Sequence, residues 1–249
     1  MLGTHRIAEA RLKAAVIDRL MSSSHVDDEA VLISEMTVAN WSRRADLVLA
    51  NGSLWAFEIK SEADSLARLP GQLRTFRSHF EKLTLVVAPR FEERVLNTLP
   101  DGVGLWVAEG ENRLVERVRP KLTALSAEAS ISLMTANELR RMVASIGLAS
   151  AGKLRRTELV ELASNLQAAD LAVAAREAVK ARYLKRYRKF VADKAAMGTL
   201  AAIAQRTLEV VERQEAISEQ HTLDELAIPH DHPELVHSPA GPILRRRLA

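Results

Sequence analysis

The chain has 249 residues, of which 47% are hydrophobic and 27% charged, with a formal net charge of +3 at neutral pH. That is enough apolar material for one or two packed domains, and it excludes a disordered or membrane-spanning class by composition. The absence of cysteine excludes disulfides and thiolate metal sites, leaving carboxylate, imidazole and carbonyl groups as candidate metal donors.

Residues 4–21 are expected to form a helix with Ile7, Leu12, Val16 and Leu20 along one side, ended by Ser22-Ser23-Ser24. No stretch approaches the roughly 18 consecutive apolar residues of a membrane span. The segment Met1 to Arg6 reads as the start of this amphipathic helix and not as a signal peptide, so a cytoplasmic protein is expected. Three strands follow at about 31–38, 45–50 and 54–61, rich in Leu, Val, Trp, Phe and Ile. Asn51-Gly52 between the second and third predicts a tight type I′ hairpin, in which both central residues take positive φ. Next come a helix over 66–80, a strand over 83–88 stopped by Pro89, a short helix over 91–98 and a strand over 104–108. Residues 113–118 add an edge strand before Pro120, and beyond about 121 the pattern is helical with no further strand. The expected organisation is a domain over 1–120, a helical basic region over 121–220 and a flexible tail over 221–249.

The hairpin carries three charges where a core is expected: Asp46 in its first strand, Glu58 and Lys60 in its second. Side chains alternate faces along a strand, so Glu58 and Lys60 share one face while Ile59 takes the other, and pairing across the turn brings Asp46 close. Two crowded carboxylates repel and lose hydration, a cost that a divalent cation offsets. Oxygen donors favour Mg²⁺ or Mn²⁺.

Asp46, a gap of about a dozen residues and then Glu58-Ile59-Lys60, on a hairpin between helical segments, resembles the PD-(D/E)XK phosphodiesterase superfamily. The stretch from Glu58 through Gln72 is similar to a small bacterial and phage branch of nucleases related in pattern to MmcB-type DNA-repair proteins. The resemblance implies an α/β, restriction-endonuclease-like αβββαβ core with a mixed sheet, followed here by an all-helical C-terminal region. It also implies a Mg²⁺-dependent nuclease, with Mn²⁺ able to substitute, acting on nucleic acid, DNA before RNA. The metal ligands would be Asp46, Glu58 and the Ile59 backbone carbonyl, with Glu35 completing a second site or holding a water. Lys60 would position water and stabilise charge, and Gln72 would orient Lys60 or the scissile phosphate. Phe76 stands where some branches carry a tyrosine, which keeps a ring for packing without its hydroxyl. A homodimer is implied by analogy. The competing expectation is a non-catalytic nucleic-acid-binding or assembly protein that retains the fold as a scaffold.

In the helical half, the capped segment from Thr135 to Met142, a break at 146–150 and a second helix from Lys153 to Leu162 resemble a SAP-type DNA-binding unit, with Lys153, Arg155 and Arg156 as its basic residues. Lys180, Arg182, Lys185, Arg186, Arg188 and Lys189 then crowd one helix without an intervening acid, with Tyr183 and Tyr187 one turn apart. Phosphates would neutralise such a run. His230-Asp231-His232 and His237 have metal-ligand chemistry but lie among four prolines in an aperiodic stretch, and Arg245-Arg246-Arg247 reads as a basic terminus. Neither is assigned a role.

Overall fold

The computed structural model describes residues 4–38, 42–110, 113–147 and 152–209, and the backbone of 235–238 and 241–244. It divides into two units, Met1–Ile203 and Ala204–Ala249. In the first unit, helix α1 (Thr4–Met21) precedes strands β1 (Val31–Val38), β2 (Arg43–Asn51) and β3 (Ser53–Lys60). Helix α2 (Leu69–His79) and strand β4 (Lys82–Val87) come next, then a 3-10 turn (Pro89–Phe91), helix α3 (Glu92–Leu96), β5 (Gly104–Glu109) and β6 (Arg113–Val118). Helices α4 (Ala127–Leu133), α5 (Ala136–Ser145), α6 (Arg156–Ser164) and α7 (Ala168–Met197) complete the described elements up to Gly198.

The six strands form one sheet in chain order. The first three are antiparallel neighbours, β3, β4 and β5 run parallel, and β6 closes the sheet antiparallel to β5. Parallel neighbours require a crossover, which α2 supplies for the first pair and α3 for the second. The predicted αβββαβ order and mixed sheet are therefore present. Helix α2 begins three residues later than expected, where Pro70 fits the first turn, a position that needs no N–H.

Both faces of the sheet are covered. On one, Leu54, Ala56, Leu85, Val87 and Leu105 pack with Leu73 and Phe76 of α2 and with Leu139, Leu159, Leu171 and Val179 of later helices. On the other, Leu47, Leu49, Phe57, Ile59 and Trp106 pack with Val16, Ile17 and Leu20 of α1 and with Phe190 of α7. Each large side chain buried in this way contributes on the order of 1.5–3 kcal/mol. Ile7, expected on the same stripe as Leu12, Val16 and Leu20, is 41% exposed. Because α4 to α7 share a core with the sheet, no packing boundary falls at residue 120.

Two local expectations are corrected. Asn51 pairs with Ser53, so the hairpin pivots on Gly52 alone (φ +64°). Asn51 stays at negative φ, its amide donating to the His25 carbonyl and to Asp27. In the second unit, Leu235–Ser238 and Gly241–Leu244 pair as an antiparallel hairpin. The C-terminal region is thus not all-helical, and this part of the expected tail has strand structure. His230, Asp231, His232 and Arg245 to Arg247 lie outside the described residues.

Candidate active site

The sheet opens beside Asp46, where β2 leaves its neighbour β3. In a regular strand, alternate residues face one side, and β1 places Val31 and Ile33 on the α2 face but then Met36 and Val38, a change of phase. Strand β2 does the same, with Ala50 and Val48 followed by Ala45. The pairing between them steps from Ser34↔Leu47 to Met36↔Ala45, so the two strands change phase together at Glu35 and Asp46. Glu35 has φ +59°, the one non-glycine with positive φ among the described residues, a conformation that a residue with a Cβ adopts at a cost of about 1–2 kcal/mol. On its other side β2 pairs with β3 only as far as Leu47↔Phe57, although β3 runs on to Lys60. Asp46 sits in this gap, where its Oδ2 accepts the Ile59 N–H at 2.7 Å.

Four carboxylates reach the opening. Glu58 is 1% exposed, and its Oε1 accepts both the Lys60 ammonium and the Gln72 amide at 2.5 Å. Its Oε2 and the Gln72 Oε1 are buried acceptors without a donor, an arrangement folded proteins rarely leave unexplained. Carboxylate oxygens of Glu35, Asp46 and Glu9 lie within 4.8 Å of one another. Glu35 is ion-paired to Lys13 of α1 and, at 2.5 Å, to Arg44. Burial, then the nearby Glu58, pushes the Asp46 carboxyl up to about 8. Burial also raises Glu58, against the opposing pull of Lys60 and Gln72. Around these groups is an open groove of about 650 Å³ whose lining includes Arg43, Arg44, Arg68, Lys60 and Gln72.

All five residues predicted for catalysis are therefore brought together, with Glu35 held by two cations. Ile59 lines the groove, and the group it gives to Asp46 is its N–H. The sequence reading missed Glu9 and Lys13, one turn apart on α1. The available signal was a charge inside an apolar run, since every residue from Leu12 to Ile17 is buried. Ser61, close in sequence, is committed to Asp64 through its hydroxyl at 2.6 Å. Phe76 is fully buried in the core, as its ring suggested.

Residues 4–210 match the family described as Bacteriophage P4 protein cII. The chain belongs to that family. Protein cII of Enterobacteria phage P4 is 39% identical over 165 residues, a match covering 64% of this chain and 62% of that protein. The chain thus spans less than two thirds of the length of this curated relative. A solved protein of unknown function from Silicibacter pomeroyi aligns with 57% of this chain and 93% of its own length, at 18% identity and a TM-score of 0.39.

In this cII-family chain, the nine basic residues singled out on the helical half stand apart from the groove lining. Arg182 pairs with Glu138 at 2.5 and 2.9 Å and donates to the Leu133 carbonyl. Burial alone would raise the Glu138 carboxyl, but Arg182 and Thr135 hold it below its ordinary range. Lys180 lies 3.5 Å from both Glu29 and Glu177, and Lys189 pairs with Asp193 at 3.1 Å. Acids absent from the run itself thus come from one turn away or from other elements. Arg156 donates to the Met134 carbonyl. Lys153, Arg155, Lys185, Arg186 and Arg188 are exposed. The expected pair of short helices is present, with α5 capped by a reciprocal Thr135–Glu138 box.

Proposed function

We propose that the groove is the active site of a metal-dependent nuclease that hydrolyses phosphodiester bonds, DNA in preference, on a restriction-endonuclease-like fold of the PD-(D/E)XK type. The observation that carries this reading is the pair of buried, donorless oxygens on Glu58 and Gln72 beside an Asp46 carboxyl whose charge is disfavoured. A buried carboxylate oxygen without a donor, as on Glu58, calls for a cation, and the Gln72 amide oxygen beside it is a further neutral acceptor. The donor set is all oxygen, which suits Mg²⁺ or Mn²⁺, and the residues present fit such an ion held by Asp46 and Glu58.

When bound, the ion would polarise a phosphoryl oxygen and lower the pKa of water. The remaining work falls to the chain. Gln72 fixes the Glu58 carboxylate through Oε1, leaving Oε2 turned to other duty. The Lys60 ammonium, also on Oε1, is placed to orient the attacking water and to meet the negative charge that builds on the phosphoryl group. Arg43, Arg44 and Arg68 on the groove lining are suited to the flanking phosphates.

A second reading, a nucleic-acid-binding or assembly protein without catalysis, draws on one observation. Lys60 already neutralises Glu58, and Lys13 and Arg44 already neutralise Glu35. The two separate in one experiment, in which linear, nicked and single-stranded DNA and RNA are incubated with the purified chain in Mg²⁺, Mn²⁺ or EDTA, alongside Glu58→Ala and Lys60→Ala. Cleavage that requires the metal and is lost in both variants is expected. Cleavage that survives both overturns the site, and salt-sensitive binding with no cleavage of any substrate establishes the second reading.

A further inference from the structure

Lys13 is the least explained residue of the groove region. It is 6% exposed, within the apolar run of α1, and its ammonium contacts Glu35. Glu9, one turn earlier on the same helix, places a carboxylate oxygen within 4.8 Å of both Glu35 and Asp46. The phase change at Glu35, with its positive φ, takes this side chain out of the strand's alternation and into contact with α1. A lysine buried in this way must be paired, and here it is paired into the very cluster of acids that would otherwise gather a metal ion. Arg44, on the other Glu35 oxygen, differs in kind, because its side chain is 63% exposed against 8% for Lys13. The arginine can swing away into solvent, whereas the lysine is enclosed.

We propose that the Lys13 ammonium is the fixed second cation of this site. It serves the Glu9, Glu35 and Asp46 side, so that the groove takes one divalent ion, on the Asp46 and Glu58 side, and no second. The inference rests on the reading of the groove as a metal site. It adds that positive charge on the α1 side is built into the chain and does not vary with metal concentration. Lys13 is a positioning residue: it holds Glu35 and through it the Asp46 neighbourhood, while the ion is left to the carboxylate that lacks a donor.

The test counts Mn²⁺ ions bound per full-length chain, by paramagnetic resonance of the free ion and by calorimetry, without nucleic acid. The wild type should bind one ion. Lys13→Met and Lys13→Gln, which remove the charge and keep the length of the stem approximately, should bind two, and Lys13→Arg should return to one. Glu9→Gln, in which Lys13 is intact, should still bind one. Circular dichroism melts show which variants fold, and Glu9→Gln keeps the proposal exposed if both neutral Lys13 variants unfold. Two ions in the wild type, the same count in the wild type and in a folded neutral Lys13 variant, or none in Glu9→Gln where the wild type binds one, would each overturn it. The two readings fail separately. A wild type that binds no ion while Lys13→Met binds one would keep the role of Lys13 and overturn the metal-dependent nuclease, and a wild type that binds two ions and cleaves would do the reverse.

Discussion

Replacing Asp46 by Asn should make the metal-free protein more stable at neutral and alkaline pH. The Asp46 carboxyl rises from 3.8 to about 8 in the fold, through burial first and Glu58 second. An acid whose folded pKa lies above its unfolded value leaves stability untouched below the unfolded pKa; above it, stability falls with pH until the folded pKa is passed. The penalty therefore grows between about pH 4 and pH 8. Each tenfold change in proton affinity is worth about 1.4 kcal/mol, which sets an upper bound of roughly 6 kcal/mol. Asp46 is only partly enclosed and feels Lys13, so about 2–3 kcal/mol is the expected penalty at pH 8. Asn keeps an oxygen for the Ile59 N–H but loses the charge assistance, returning about 1 kcal/mol. The net gain of roughly 1–2 kcal/mol corresponds to a melting temperature higher by about 3–6 °C. The measurement is a set of melts of both proteins from pH 4 to pH 8 in EDTA. Glu58 is raised by burial as well and is present in both proteins, so the difference between the two curves is the readout. Adding Mg²⁺ at about a hundred times its dissociation constant should stabilise the wild type by roughly 2.7 kcal/mol and the variant little, reversing their order. An Asn variant that melts at or below the wild type at pH 8 in EDTA, or a difference that does not change with pH, would refute the reasoning.

Arg182→Ala strips the guanidinium from a buried Glu138 and should cost roughly 2–4 kcal/mol in denaturant unfolding, while the salt dependence of DNA binding stays as in the wild type. Lys185→Ala with Arg188→Ala, both exposed, should do the opposite. Unfolding should be unchanged, and the slope of log affinity against log salt should become shallower by about 2, as expected for two lost phosphate contacts; an unchanged slope would remove this face of α7 from the nucleic-acid surface. Gly104→Ala should destabilise by roughly 1–3 kcal/mol, because its methyl group would meet the Thr84 hydroxyl at 2.7 Å and Pro120 at 2.8 Å. A melting temperature equal to that of the wild type would show that the β6 end of the sheet yields freely.

Periodicity carried much of the fold. Runs such as Leu47 to Ala50 and Leu83 to Val87 are buried on both faces, which is why they read as continuous apolar strands, and β6 begins and ends where the pattern placed it. What escaped was set by geometry between distant segments. The turn at Gly52 took its register from the Asn51↔Ser53 pairing, which overrode the two-residue preference of the dipeptide. Two of the acids that neutralise α7, Glu29 and Glu138, come from other elements, so a run of bases looked emptier than it is, although Glu177 and Asp193 lie one turn away on the same helix. The hairpin of Leu235–Ser238 and Gly241–Leu244 joins four-residue strands too short to show alternation.

The candidate site divides in the same way. Asp46, Glu58 and Lys60 were legible because a charge within a buried strand violates the alternation that surrounds it, and such violations concentrate where function sets the residue. Glu9 and Lys13 were less so, because a helix tolerates charges on part of its circumference: the apolar run from Leu12 to Ile17 marks Lys13 as enclosed, but nothing local says that it faces a break in a sheet. The break is what connects them. Had β1 and β2 kept phase through Glu35 and Asp46, a ladder would have tied β2 to both neighbours and Asp46 could not have taken the Ile59 N–H. The lost pairing and the strained φ at Glu35 together create a gap that admits side chains from α1 on one face and α2 on the other. Glu9 and Lys13 therefore belong to the same site as Gln72 although the sheet lies between their helices, and a substitution that restored strand pairing at Asp46 would separate the two halves without removing any of the charged groups.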